Sequence, residues 1–69
     1  MEDSEFISYQ EEVRMLFNNK RYEEADAILQ KCIDAFRVKS REFMEMLLDE
    51  YEDQNVKDTL SRLYFWNYL

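Results

Sequence analysis

The sequence predicts an all-α fold, a small bundle of three to four helices, and three observations carry that prediction. The 69 residues include no glycine and no proline, so every position is compatible with a helix interior and none offers an easy left-handed or tight-turn residue. The large apolar residues recur three and four positions apart, as on one stripe of a helix, and never settle into the alternation of a strand. The turns therefore fall to Asn, Asp and Ser, which interrupt the apolar runs.

Phe6, Tyr9, Val13, Leu16 and Phe17 form the first stripe, with Ser4 ahead of it as an N-cap, and the spacing predicts a helix over about 4–18. The stripe ends at Asn18 and Asn19, and asparagine tolerates the left-handed helix stop best after glycine. Tyr22, Ala25, Ile28, Leu29, Cys32, Ile33 and Phe36 form the second stripe. Glu23, Glu24 and Asp26 lie near its start, where the macrodipole favours negative charge. Arg37, Lys39 and Arg41 then suit a helix C-terminus and Ser40 a new cap, which places a break at residues 38–41; one long helix over 21–52 is the alternative. Phe43, Met44, Met46, Leu47, Leu48 and Tyr51 follow among acidic residues, up to an interruption at Gln54 and Asn55. Asn55 with Asp58 three residues later resembles a capping arrangement for a last helix carrying Val56, Leu60, Leu63 and Tyr64.

Residues 1–69 are expected to form a single helical domain, since one core usually takes about 50 to 200 residues. At this length apolar burial and conformational entropy nearly cancel, so small proteins commonly add a disulfide, a metal or a second subunit. Cys32 is the single cysteine and there is no histidine. An intramolecular disulfide is excluded, and one chain cannot assemble the usual Cys/His zinc set. A homodimer or hetero-complex is left as the source of extra burial.

Sixteen acidic against nine basic residues give a formal charge of −7, which disfavours nucleic acid and anionic membrane as direct ligands. Met1–Glu5 lacks the basic and apolar regions of a secretory leader, and no apolar run is long enough to span a bilayer. A cytoplasmic location is expected.

Within residues 9–36, the run Asn19, Lys20, Arg21, Tyr22, Glu23, Glu24, Ala25, followed by Leu29 and Cys32, resembles the turn and second helix of a tetratricopeptide repeat. The resemblance implies a helical hairpin used in protein recognition, with Ala25 allowing close helix approach and Leu29 and Cys32 continuing the seam. Val13 and Arg37 depart from the family's small residue and terminal proline. A shift of 34 pairs Tyr9 with Phe43, Val13 with Leu47, Tyr22 with Val56 and Leu29 with Leu63, whereas Leu16 with Glu50 and Ala25 with Thr59 do not match. The bundle is thus expected as two tetratricopeptide-like hairpins or as a generic four-helix arrangement.

No catalytic constellation is legible. Phosphate-cradling loops need glycine, and a nucleophile–base pair without histidine would have to recruit Cys32, which sits on an apolar stripe as a core residue. An EF-hand register starting at Asp49 puts Tyr51 and Gln54 where an oxygen ligand and a glycine belong. No enzyme activity, cofactor, metal or small-molecule substrate is expected.

The carboxyl-terminal run Leu63, Tyr64, Phe65, Trp66, Asn67, Tyr68, Leu69 is apolar all round, more than one core can hide. Either Leu63 and Tyr64, with or without Tyr68, face the core while Phe65, Trp66 and Leu69 face a partner, or the core takes them all. Tyr64, Phe65, Trp66, Tyr68 and Leu69 are therefore the candidate protein interface, with Glu42, Glu45, Asp49, Glu50, Glu52 and Asp53 as an acidic surface. The expected function is non-enzymatic protein–protein interaction, as an adaptor, small chaperone or assembly subunit. The alternative is an acidic inhibitor or nucleic-acid mimic that occupies a basic surface.

Overall fold

Each apolar stripe folds into one helix. The computed structural model describes residues 4–69 and contains α1 (Ser4–Asn18), α2 (Tyr22–Ala35), α3 (Arg37–Glu50) and α4 (Gln54–Tyr68), with no strand among the described residues. Met1, Glu2 and Asp3, used above in reading the amino terminus, lie outside the described residues. Helix α2 packs against all three others, and α3 packs against α4. The result is the small all-α bundle that the sequence predicts.

The local boundaries differ from expectation at four places, each for a physical reason. Ser4 is already helical and not a cap. At the first turn Lys20 takes the left-handed conformation, φ 60°, within a Schellman motif: the Arg21 N–H donates to the Leu16 carbonyl at 2.8 Å and the Lys20 N–H to the Phe17 carbonyl at 3.0 Å. Asn19, one of the two residues expected in that role, instead donates its side-chain amide to the Met15 carbonyl at 2.8 Å. A left-handed lysine costs about 1–2 kcal/mol, which the two turn hydrogen bonds offset.

The break between α2 and α3 is a single residue, Phe36 (φ −135°, ψ 74°), and not residues 38–41. The Phe36 ring packs on Phe6 and Tyr9, with centroids 5.3 and 6.4 Å away, so the corner is placed by an aromatic anchor. Ser40, expected to cap, lies inside α3 and is fully buried. Its hydroxyl donates to the Cys32 carbonyl at 2.9 Å, which also accepts the Phe36 N–H at 2.8 Å. The hydroxyl hydrogen is thereby used, so the Cys32 thiol, 3.1 Å away, donates to the Ser40 oxygen.

Arg37, Lys39 and Arg41 consequently begin α3 and do not end α2. Cations are unfavourable at a helix N-terminus, and two of these find aromatic partners. Arg37 lies over the Tyr68 ring at 4.9 Å and donates to the Asn67 carbonyl at the negative end of α4; Lys39 lies over Phe6 at 5.8 Å. At the third corner the cap is Asp53 and not Asn55: its carboxylate accepts the Asn55 N–H at 2.9 Å and the Tyr22 hydroxyl at 2.5 Å. Asp53 thus caps α4 and ties it to the first residue of α2.

The shared core comprises Val13, Leu16, Phe17, Ala25, Leu29, Cys32, Ile33, Phe43, Met44, Leu47, Val56, Leu60 and Leu63. All belong to the stripes read from the sequence. The buried polar residues are Ser40 and Thr59, and the Thr59 hydroxyl donates to the Asn55 carbonyl at 2.9 Å. Among the described residues, no buried side-chain nitrogen or oxygen lacks a hydrogen-bond partner. Ala25 and Thr59, which do not match in polarity at the shift of 34, are both buried.

Two predictions follow from these corners. Ser40→Ala keeps the local volume but removes one bond to the Cys32 carbonyl and strands the thiol hydrogen, so urea titration should show a loss of about 1–3 kcal/mol. Asp53 is held below the ordinary carboxylate range by the Tyr22 hydroxyl first and the Asn55 N–H second, and Tyr22 is raised by Asp53. The Asp53 contribution is complete above its unfolded value near about 4 and is lost as pH falls through its lower folded value. Tyr22, raised above an unfolded value near about 10, adds a second loss as pH rises through its folded value. Thermal melts should therefore fall off at both extremes, and Tyr22→Phe should reduce the alkaline limb, to which the raised Tyr68 hydroxyl and Cys32 thiol also contribute, and remove part of the acid limb. The acid limb that remains belongs to Asp53 through its bond from the Asn55 N–H and to Glu50, which its hydrogen bond to Arg14 lowers.

Candidate protein-docking surface

Helix α4 turns Val56, Thr59, Leu60 and Leu63 inward, and polar contacts pin both of its flanks. Toward α2, Arg62 pairs with Asp26 at 3.1 Å. One turn on, Asn67 and Gln30 exchange amide hydrogen bonds of 3.0 and 3.1 Å. Toward α3, the Tyr64 hydroxyl donates to Glu45 at 3.0 Å and the Tyr68 hydroxyl to the Arg37 carbonyl at 2.5 Å. With rotation about its axis so fixed, α4 presents Phe65, Trp66 and Leu69 outward, 61%, 76% and 87% exposed.

Phe65 and Trp66 meet edge to face, centroids 6.2 Å apart. Taking about 200 Å² for a large side chain, the three residues leave roughly 450 Å² of apolar surface uncovered, a size at which patches are often functional. Beside them an open groove of about 560 Å³ runs between α3 and α4, lined by Glu45, Leu48, Ser61, Tyr64, Phe65 and Leu69. Ser61, Phe65 and Leu69 follow one another at helical spacing of four, so the small serine side chain opens the groove beside the larger two.

The candidate interface residues therefore separate into two groups. Phe65, Trp66 and Leu69 face outward, Tyr64 lines the groove with its hydroxyl engaged, and Tyr68 is half-buried under Arg37. Burial raises the Tyr68 hydroxyl above the ordinary phenol range. Leu48 and Ser61 also line the groove and were not singled out in the sequence. The i, i+4 relation of Ser61 to Phe65 was the available signal for one of them. Leu48 had none beyond membership of an apolar stripe.

The acidic residues divide as well. Glu50 binds Arg14, Glu45 accepts from Tyr64 and pairs with Arg41 at 3.6 Å, and Asp53 is the α4 cap. Glu42, Asp49 and Glu52 are exposed. Among the described residues, no group of three or more His, Cys, Asp and Glu side chains is arranged to hold a metal ion. No helix of the described residues is long and apolar enough to cross a membrane. Cys32 is fully buried, and burial pushes its thiol up, away from the reactive thiolate.

The chain matches no protein-family model, no curated protein and no solved structure.

Because the outward stripe lies apart from the core, its truncation should leave folding nearly intact. Trp66→Ala should shift urea stability by no more than about 1 kcal/mol, the edge contact with Phe65 included. Leu63→Ala, three residues earlier but buried, should cost about 2–4 kcal/mol. Equal losses from the two variants would mean that Trp66 belongs to the core.

Proposed function

We propose that this chain is a non-enzymatic protein-interaction module that docks through the outward face of α4, with Phe65 and Trp66 as anchors, in an adaptor, small-chaperone or assembly role. The observation that carries the proposal is the exposure of Phe65, Trp66 and Leu69 on a helix whose other flanks are fully engaged. The chain has a closed apolar core without them, so their presence is not required by folding. Aromatic residues on a rigid helix give large contact area at little conformational cost, which is why they dominate interface energetics. The resemblance of residues 9–36 to a tetratricopeptide hairpin favours the same class of function, since such hairpins act by recognition. Glu45 and Asp49 supply a polar rim, and such rims govern selectivity and encounter rate more than raw affinity.

The test is affinity capture from extracts of the cells that carry the gene, comparing the native chain with Phe65→Ala/Trp66→Ala and with Glu11→Gln/Glu12→Gln on the exposed side of α1. The aromatic double variant should keep its melting transition and lose retained partner by about thirtyfold, as expected for a hot spot worth about 2 kcal/mol. The α1 variant should retain it. Undiminished retention by the aromatic variant would place docking elsewhere on the molecule.

A further inference from the structure

We infer that the α3–α4 groove receives a basic amphipathic helix from a different protein, with apolar residues seated on Leu48, Tyr64, Phe65 and Leu69 and Lys or Arg side chains against the acidic rim. This rests on the reading of α4 as the docking face and adds the chemistry of the occupant. A groove of about 560 Å³ takes a few side chains and not a whole domain, and an element bearing apolar residues at i, i+3, i+4 and i+7 fits such a trough.

Charge decides between occupants. Four arginines are already paired within the chain: Arg14 with Glu50, Arg21 with Glu24, Arg41 with Glu45 and Arg62 with Asp26. Arg37 and Lys39 lie over aromatic rings, which leaves Lys20, Lys31 and Lys57 as the remaining cations against sixteen acidic residues. Asp49, Glu52 and Asp58, by contrast, have no Lys or Arg within ion-pair distance among the described residues. The contact of Glu45 with Tyr64 fixes the register of α3 on α4, so Asp49, one turn further on, comes alongside the turn of α4 that carries Ser61 and Asp58. Asp49 and Asp58 therefore stand beyond the Ser61 end of the groove, whose own lining carries one carboxylate, Glu45. A second copy of this chain would bring another formal −7 to that border, and nucleic acid or an anionic membrane would be repelled in the same way. A cationic helix satisfies both the apolar floor and the excess negative charge around the groove.

The experiment titrates the full chain into a fluorescein-labelled Leu/Lys amphipathic peptide about five turns long, reading anisotropy, with light scattering on the chain alone. Two control peptides are a scramble of equal charge without an apolar face and a Leu/Glu counterpart. The ordered Leu/Lys peptide should bind at least about tenfold more tightly than the scramble, and the Leu/Glu peptide should not bind. Phe65→Ala/Leu69→Ala should weaken binding about tenfold. Asp49→Asn/Asp58→Asn should weaken it about fivefold and reduce its salt dependence, while Glu11→Gln/Glu12→Gln, with the same change of charge, should leave it unaltered. Circular dichroism of each variant establishes that the helices persist.

Equal binding of scramble and ordered peptide, or equal effects of the two carboxylate pairs, would overturn the inference in favour of unspecific charge attraction. Binding of the Leu/Glu peptide, or a dimer of the chain that Phe65→Ala dissociates, would overturn the cationic occupant while leaving the docking face on α4. Absence of any peptide binding overturns the inference, and the capture experiment above then judges the docking face by itself.

Discussion

The fold turns on the one-residue corner at Phe36. With only that residue between α2 and α3, the two helices cannot be positioned independently, and their relative placement depends on what fills the angle. The Cys32 carbonyl supplies the hinge point by accepting both the Phe36 N–H and the Ser40 hydroxyl, while the Phe36 ring fills the outside of the bend against Phe6 and Tyr9. Moving this corner along the chain would turn the inner faces of α3 and α4 away from the core. It also fixes where α3 begins, which brings Arg37 to the end of α4 and aligns the groove wall on α3 with the stripe on α4.

The arginines explain how so acidic a chain maintains its tertiary contacts. Arg14 joins α1 to the end of α3, Arg62 joins α4 to α2, and Arg37 joins α3 to the end of α4. Each bridges elements distant in sequence. Exposed pairs of this kind contribute little individually, but they place positive charge at helix junctions and leave the outward surface acidic. Tyr22, Tyr51, Tyr64 and Tyr68 act in the same manner, each using its ring as apolar filler and its hydroxyl as a link to another element.

How much was legible in the sequence depended on whether the signal was periodic or local. The apolar stripes located the core residues from Val13 to Leu63, because helical periodicity follows directly from burial on one face. The corners were misplaced because each is decided by tertiary partners: Ser40 looks like a cap but is drawn inward by the Cys32 carbonyl, and Asn55 looks like a cap but donates to Asp53. Lys20 took a left-handed position expected of asparagine because the hydrogen-bond register of the turn outweighed residue preference. On the candidate site, the excess of aromatic residues after Leu63 was visible, but the division of Tyr68 from Trp66 required knowing which side of α4 meets Arg37.

The placement of the single tryptophan has a practical consequence. Trp66 lies on the outer stripe at 76% exposure, and the sequence has no second indole. Its emission is set by water in the folded chain as in the unfolded one, so unfolding should produce little spectral shift, whereas covering the stripe would move the indole into an apolar environment. The native chain thus carries an optical probe that is nearly blind to folding and sensitive to occupancy of α4.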